Sequence, residues 1–127
     1  MLSAIPEIAI HPARGAFYMT AVFRHGALNL DQSLPAPDSA AAIIAPHLGA
    51  ALDQRFVLHL LAGTGICVVP LSTGFNSDLQ GFRFTLLEAD ETKFEAVLTD
   101  LAAALRAYLA SGHAALDAAA RPSVTAA

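Results

Sequence analysis

The sequence predicts an α+β domain of two layers, a small three- to four-stranded, mostly antiparallel sheet with helices packed on one face. Three observations carry this. Two runs with period-two character, Ala16–Phe23 and Gly81–Leu87, and one short apolar run, Ile66–Val69, read as strands. Two stretches, after Asp53 and after Asp90, repeat apolar residues at helical spacing. Their order is strand, helix, strand, strand, helix, too few strands for a sandwich or barrel and right for a sheet with helices laid on it.

A chain of 127 residues fits one core, so residues 1–127 are expected to form a single domain. Residues 1–14 read as irregular, because Pro6 and Pro12 oppose regular pairing. In Ala16–Phe23, Phe17, Met19, Ala21 and Phe23 fall on one face and Tyr18, Thr20 and Val22 on the other. Residues 24–50 form a long connection with three prolines, and connections of this length are functional or carry a helix of their own. Ser39–Ala45, with Asp38 as N-cap, is the candidate for that helix.

Asp53 reads as the N-cap of a helix over Gln54–Ala62, striped by Phe56, Val57, Leu60 and Leu61 and ended by Gly63 and Gly65. Ile66-Cys67-Val68-Val69 follows as a strand buried on both faces, stopped by Pro70. Leu71–Gln80 is a polar loop, and Gly81–Leu87 is the next strand. Asp90 then caps the longest helix, to about Ala110, with Phe94, Val97, Leu98, Leu101, Leu105, Tyr108 and Leu109 along one stripe. Ser111-Gly112 closes it, leaving residues 113–127 as a frayed alanine-rich tail.

Composition excludes several classes of function. Seven basic residues against eleven acidic ones, a formal charge of −4, leave no footprint for nucleic acid. One cysteine cannot staple a fold, which points to a reducing, cytoplasmic setting. Mean hydropathy is +0.52, yet no apolar run approaches the ~20 residues that span a membrane, and residues 1–7 lack the features of a signal peptide. The excess apolar character is therefore expected to be surface covered by other protein.

Few residues suggest chemistry. The five histidines, His11, His25, His47, His59 and His113, are scattered without metal-ligand spacing, so no metal site is expected. Cys67, among branched apolar neighbours, reads as a small buried hydrophobe. Gly63-Thr64-Gly65 begins like a dinucleotide fingerprint but leads into a strand and lacks the third glycine. Glu88, Asp90, Glu91 and Glu95 suit the positive end of a helix. The single lysine, Lys93, lies on the polar side of that helix, without the apolar pocket of a Schiff-base lysine. Arg83 stands apart. Alternation puts Phe82, Phe84 and Leu86 on one face and Arg83 with Thr85 on the other. A strand-borne arginine is either a surface ion-pair partner or a rigidly held fork for a carboxylate.

A resemblance bears on that choice. Phe56–Pro70 (Phe-Val-Leu-His-Leu-Leu-Ala-Gly-Thr-Gly-Ile-Cys-Val-Val-Pro), Gly74-Phe75 and Gly81-Phe82-Arg83-Phe84-Thr85-Leu86-Leu87 resemble the C-terminal small domain of class I/II, fold type I pyridoxal-phosphate aminotransferases, the alanine- and aspartate-aminotransferase-like members in particular. Pro12-Ala13-Arg14-Gly15-Ala16-Phe17-Tyr18 is similar to the strand that opens that domain, so the resemblance spans about residues 10–110 in order. It implies that Arg83 binds the substrate α-carboxylate, and that a large domain supplies the Schiff-base lysine and the pyridoxal phosphate site, with no catalytic or cofactor-binding residue in this chain. It further implies amino acid and 2-oxo acid substrates, a homodimer, and inactivity of the chain by itself. Leu71-Ser72-Thr73 departs from the glycine-serine that follows the proline in the family, and the 24–50 connection is long, which implies a different side-chain preference. The residues also admit a stand-alone module that binds a carboxylate ligand at Arg83 or dimerises without catalysis.

Overall fold

The computed structural model describes residues 2–11, 18–74, 78–85 and 90–120, excepting the side chains of Ser3, His11 and 112–120. The strands are β1 (Ile8–His11), β2 (Tyr18–Phe23), β3 (Val69–Pro70) and β4 (Gly81–Thr85). The helices are α1 (Asp38–Ile44), α2 (Leu52–Thr64), the single turn α3 (Leu71–Gly74) and α4 (Glu91–Ala120). The four strands form one sheet in the order β1-β2-β4-β3, every pair antiparallel. The expected α+β architecture is present.

The sheet's alternation matches the sequence pattern. Ala21 and Phe23 of β2 and Phe82 and Phe84 of β4 are buried, joined on the same face by Ile8. They meet Phe56, Val57 and Leu60 of α2 and Leu101, Leu105, Tyr108 and Leu109 of α4 in one core. Phe56 is its centre, with ring centroids 5.5 Å from Phe23, 5.4 Å from Phe82 and 5.0 Å from Tyr108. Edge-on and tilted contacts at such distances add to the area term because ring edges meet ring faces. The opposite face carries Tyr18, Thr20, Val22, Val69, Arg83 and Thr85, of which Tyr18, Val69 and Thr85 are exposed. In the α4 stripe Val97 is the exception, 44% exposed.

Several boundaries differ from expectation. Residues 1–14 are not wholly irregular, for Ile8–His11 forms edge strand β1, paired from Ile8↔Phe23 to His11↔Thr20. Pro6 lies in the turn before the strand and so precedes the ladder without breaking it. The run Ile66–Val69 is not a doubly buried strand. Only Val69 and Pro70 pair, opposite Arg83 and Phe82, at the far edge of the sheet from β1. Cys67 is exposed, not a buried hydrophobe, because it lies outside the ladder, between half-buried Ile66 and buried Val68. Pro70 is tolerated in the ladder because β3 is an edge.

Helix α4 does not stop at Ser111-Gly112 but runs on to Ala120. Ser111 Oγ donates to the Tyr108 carbonyl, 2.7 Å, a bond made within the helix, and the alanines beyond favour its continuation. Residues 121–127, Phe17, Phe75, Leu86, Leu87 and Glu88 lie outside the described residues. Asp90 does cap α4, its Oδ1 accepting from the backbone N–H of Thr92 at 3.0 Å and Lys93 at 3.1 Å. Asp38 is the first residue of α1 and not its cap, which is Pro37. Gly65, at φ +80°, is the left-handed cap of α2. Gly63 lies inside that helix, where a Cβ would stand 2.8 Å from the Pro35 carbonyl oxygen.

The long connection carries α1, which packs against α2, and is braced by buried Gln32. Gln32 Nε2 donates to the carbonyls of Ala27 at 2.9 Å and Leu109 at 3.4 Å, while its Oε1 accepts from Asn29 N–H at 2.9 Å. Arg55 donates to the carbonyls of Leu30 and Gly49, both at 3.1 Å. One segment is thus tied to both helices of the core layer.

Gly81 opens β4 where β2 comes closest. A Cβ there would stand 2.2 Å from the Ala21 carbonyl oxygen and 2.9 Å from Leu71 Cδ1. Backbone cannot yield as a side chain can, so Gly81→Ala forces β2 and β4 apart. The expected cost is about 2–3 kcal/mol, read as a lowered urea midpoint at unchanged slope.

Candidate functional site

Arg83 sits mid-strand in β4, with Thr20 of β2 opposite it on one side and Val69 of β3 on the other. Its backbone is held by ladders on both flanks, so the half-buried side chain leaves from a fixed base. Register places Tyr18 opposite Thr85, hence diagonal to Arg83 on the same face. The guanidinium carbon lies 5.6 Å from the centroid of the Tyr18 ring, within cation–π range. A planar fork held this way suits a carboxylate, which it grips through two parallel N–H···O bonds.

Two residues before Arg83, at Gly81, lies a junction with no signal in the sequence. Asp53 is not the N-cap of α2, a place held by Ala51, but a first-turn residue that is fully buried. Its carboxylate accepts from Ser72 N–H at 2.9 Å, from Gly81 N–H at 3.2 Å and from the Ser72 hydroxyl in a very short bond. Its own N–H donates to Gln80 Oε1, 3.1 Å. Helix α2, turn α3 and the start of β4 are thereby fastened at one point. The carboxylate is fully engaged in structure and sits where it fixes the strand that carries Arg83.

The other candidates are dispersed. Glu91 and Glu95 are exposed on the first turns of α4, and Asp90 is engaged as its cap. His25 and His47 are exposed, and the side chains of His11 and His113 lie outside those described. Among the described residues no three metal-ligating side chains gather. Gly63-Thr64-Gly65 forms a helix end, where Thr64 Oγ1 donates to the Leu60 carbonyl at 2.7 Å and accepts from Ile66 N–H at 3.1 Å. Lys93 is exposed on the first turn of α4, in the layer on the other side of the sheet from Arg83. Among the described residues, Lys93 and Arg83 are thus not brought together. Among the described residues, no helix is long and apolar enough to cross a membrane.

His59 and Tyr108 are titratable groups set in the α2–α4 contact, ring centroids 5.7 Å apart. Burial, aided by the Arg55 guanidinium, holds the His59 imidazole below its ordinary 6.5. Burial pushes the Tyr108 phenol up to about 12, with Arg55 pulling the other way, and its hydroxyl makes no hydrogen bond among the described residues. For His59 the unfolded chain takes up a proton below about 6.5 while the folded protein resists it. Stability from this group is full above pH ~6.5 and falls as pH drops through that value toward the depressed folded pKa. Thermal midpoints measured from pH 8 to 5 should decline more steeply for the unaltered protein than for His59→Gln.

No family model matches the chain. Over 110 residues it is 42% identical to an uncharacterized aminotransferase of Methanocaldococcus jannaschii, an alignment that takes in 85% of this chain and 25% of that protein. The chain is thus similar to part of an aminotransferase and spans about a quarter of the length of this curated relative.

Proposed function

We propose that this chain is the small, C-terminal domain of a fold type I, pyridoxal-phosphate-dependent aminotransferase, in which Arg83 binds the α-carboxylate of the amino acid and 2-oxo acid. The observation that carries the proposal is Arg83 itself, anchored at the middle of a sheet on the face away from the core. The likeness to an aminotransferase supports the reaction class, and the resemblance of the strand motifs supports the fold type and the cofactor.

On this reading the rest of the longer protein holds the cofactor, which supplies an electron sink for bonds at the substrate α-carbon when bound. This chain supplies binding and orientation. The Arg83 fork neutralises the carboxylate and fixes its plane, and two parallel bonds remove rotation about the carboxylate axis. Closure of the domain over the substrate excludes water and strengthens that contact. The excess apolar surface, including Val69 and Val97, is where the remainder of the protein meets this domain. The proposed enzyme is a cytoplasmic homodimer, and no amino transfer is expected from the 127-residue chain by itself.

The test is a chimera in which residues of this chain replace the aligned 110-residue segment of the archaeal relative. It is assayed for amino transfer from a panel of amino acids to pyruvate and to 2-oxoglutarate. Transfer that survives the graft and depends on Arg83 supports the proposal. Transfer indifferent to Arg83→Ala removes the assigned role. Failure of every donor, in a folded chimera that binds the cofactor, sinks the reading of the chain as an aminotransferase domain.

A further inference from the structure

We propose that Tyr18 is a positioning residue for Arg83, its ring setting the plane in which the guanidinium meets a carboxylate. The inference rests on the reading of Arg83 as the substrate handle and adds the residue that aims it.

The argument starts from register. With Thr20↔Arg83 and Tyr18↔Thr85 paired, Tyr18 is the diagonal neighbour of Arg83 on one face, a separation that only long and aromatic side chains bridge. The observed 5.6 Å from guanidinium carbon to ring centroid shows that they do. An arginine on a strand has a fixed Cα but four rotatable side-chain bonds, so its fork is aimed only if something restrains the far end. A ring face is a restraint compatible with carboxylate binding. It acts through the π cloud and does not neutralise the cation.

Tyr18 is suited to this by its own surroundings. It is 53% exposed, a large apolar ring with no place in the core. Neither core packing nor any hydrogen bond described for it accounts for an aromatic residue here. The contact with Arg83 does. Because the ring face makes that contact, phenylalanine should serve as well as tyrosine, whereas leucine should not.

Two measurements test this. In the 127-residue chain, NMR of the arginine side chains reads the ring current of Tyr18 on the Arg83 δ and ε protons. An upfield shift is expected, retained in Tyr18→Phe and lost in Tyr18→Leu. In the chimera, Tyr18→Leu should raise KM for the amino donor about two- to fivefold with kcat little changed, and Tyr18→Phe should restore it. A merely structural role would move thermal stability without this split or this rescue. Absence of the upfield shift overturns the proposal whatever Arg83 does. A large effect of Arg83→Ala beside a Tyr18→Leu variant with unaltered KM overturns the Tyr18 proposal alone. An Arg83→Ala variant with unaltered KM overturns the reading of Arg83, and the role of Tyr18 with it.

Discussion

Replacing Arg83 by alanine in the chimera is expected, on the proposed function, to lower kcat/KM for amino transfer about 100- to 1000-fold, for the amino acid and the 2-oxo acid alike. The magnitude follows from the two hydrogen bonds that alanine cannot make. Each charge-assisted hydrogen bond contributes about 1.5–3 kcal/mol, and a bidentate grip makes two that partly share one desolvation cost. About 3–4 kcal/mol of transition-state stabilisation corresponds to the stated range. Both substrates carry the same carboxylate, so both half-reactions should suffer to a similar degree. Arg83→Lys should recover only part of the activity, because a point-like ammonium keeps the charge but not the fork. Folding should change little, since the half-buried side chain stands on the face away from the core. Steady-state kinetics on both variants, beside their melting curves, checks each clause.

Asp53→Ala is expected to destabilise the fold by about 3–5 kcal/mol, a large share of the roughly 5–15 kcal/mol available to a domain. Its carboxylate satisfies the N–H groups of Ser72 and Gly81 and the Ser72 hydroxyl. Alanine leaves those donors without an acceptor in a place water reaches poorly, and each such group costs about 1–3 kcal/mol. Asp53→Asn keeps an acceptor oxygen but brings its own donors toward donors, so it should fall between alanine and the unaltered protein. Urea unfolding of the three proteins at one pH measures the series. Because Asp53 fastens α2 to the start of β4, hydrogen exchange in β4 should quicken more than in β1, which pairs with β2 alone.

The core and the place of Arg83 on the outer face of its strand are legible in the sequence, and for the same reason. Period two in Ala16–Phe23 and Gly81–Leu87 and period 3.6 in the two long helices are local patterns, and Arg83 breaks one of them by placing a charge on a strand's outer face. Asp53 misleads because an aspartate near a helix start matches the local rule for a cap. Its true partners, Ser72 and Gly81, lie 19 and 28 residues on, and only the fold brings them near. Edge strands β1 and β3 mislead for a related reason. Pro6 and Pro70 argue against pairing in general, but Pro6 lies in the turn before β1 and Pro70 sits in an edge strand, where only one side needs donors. Apolar neighbours suggest that Cys67 is buried, while its exposure depends on a short β3 that leaves residue 67 outside the ladder. Alternation puts Tyr18 on the outer face of its strand, but its link to Arg83 depends on which residues face one another across β2 and β4.

That same cysteine has a practical use. Cys67 is the sole thiol of the chain and is exposed, so a maleimide dye attaches at one position with no residue added or removed. It stands two residues before Val69, the β3 partner of Arg83. A fluorophore there reports, in real time and on the native sequence, the arrival of anything that settles on the strand bearing the arginine.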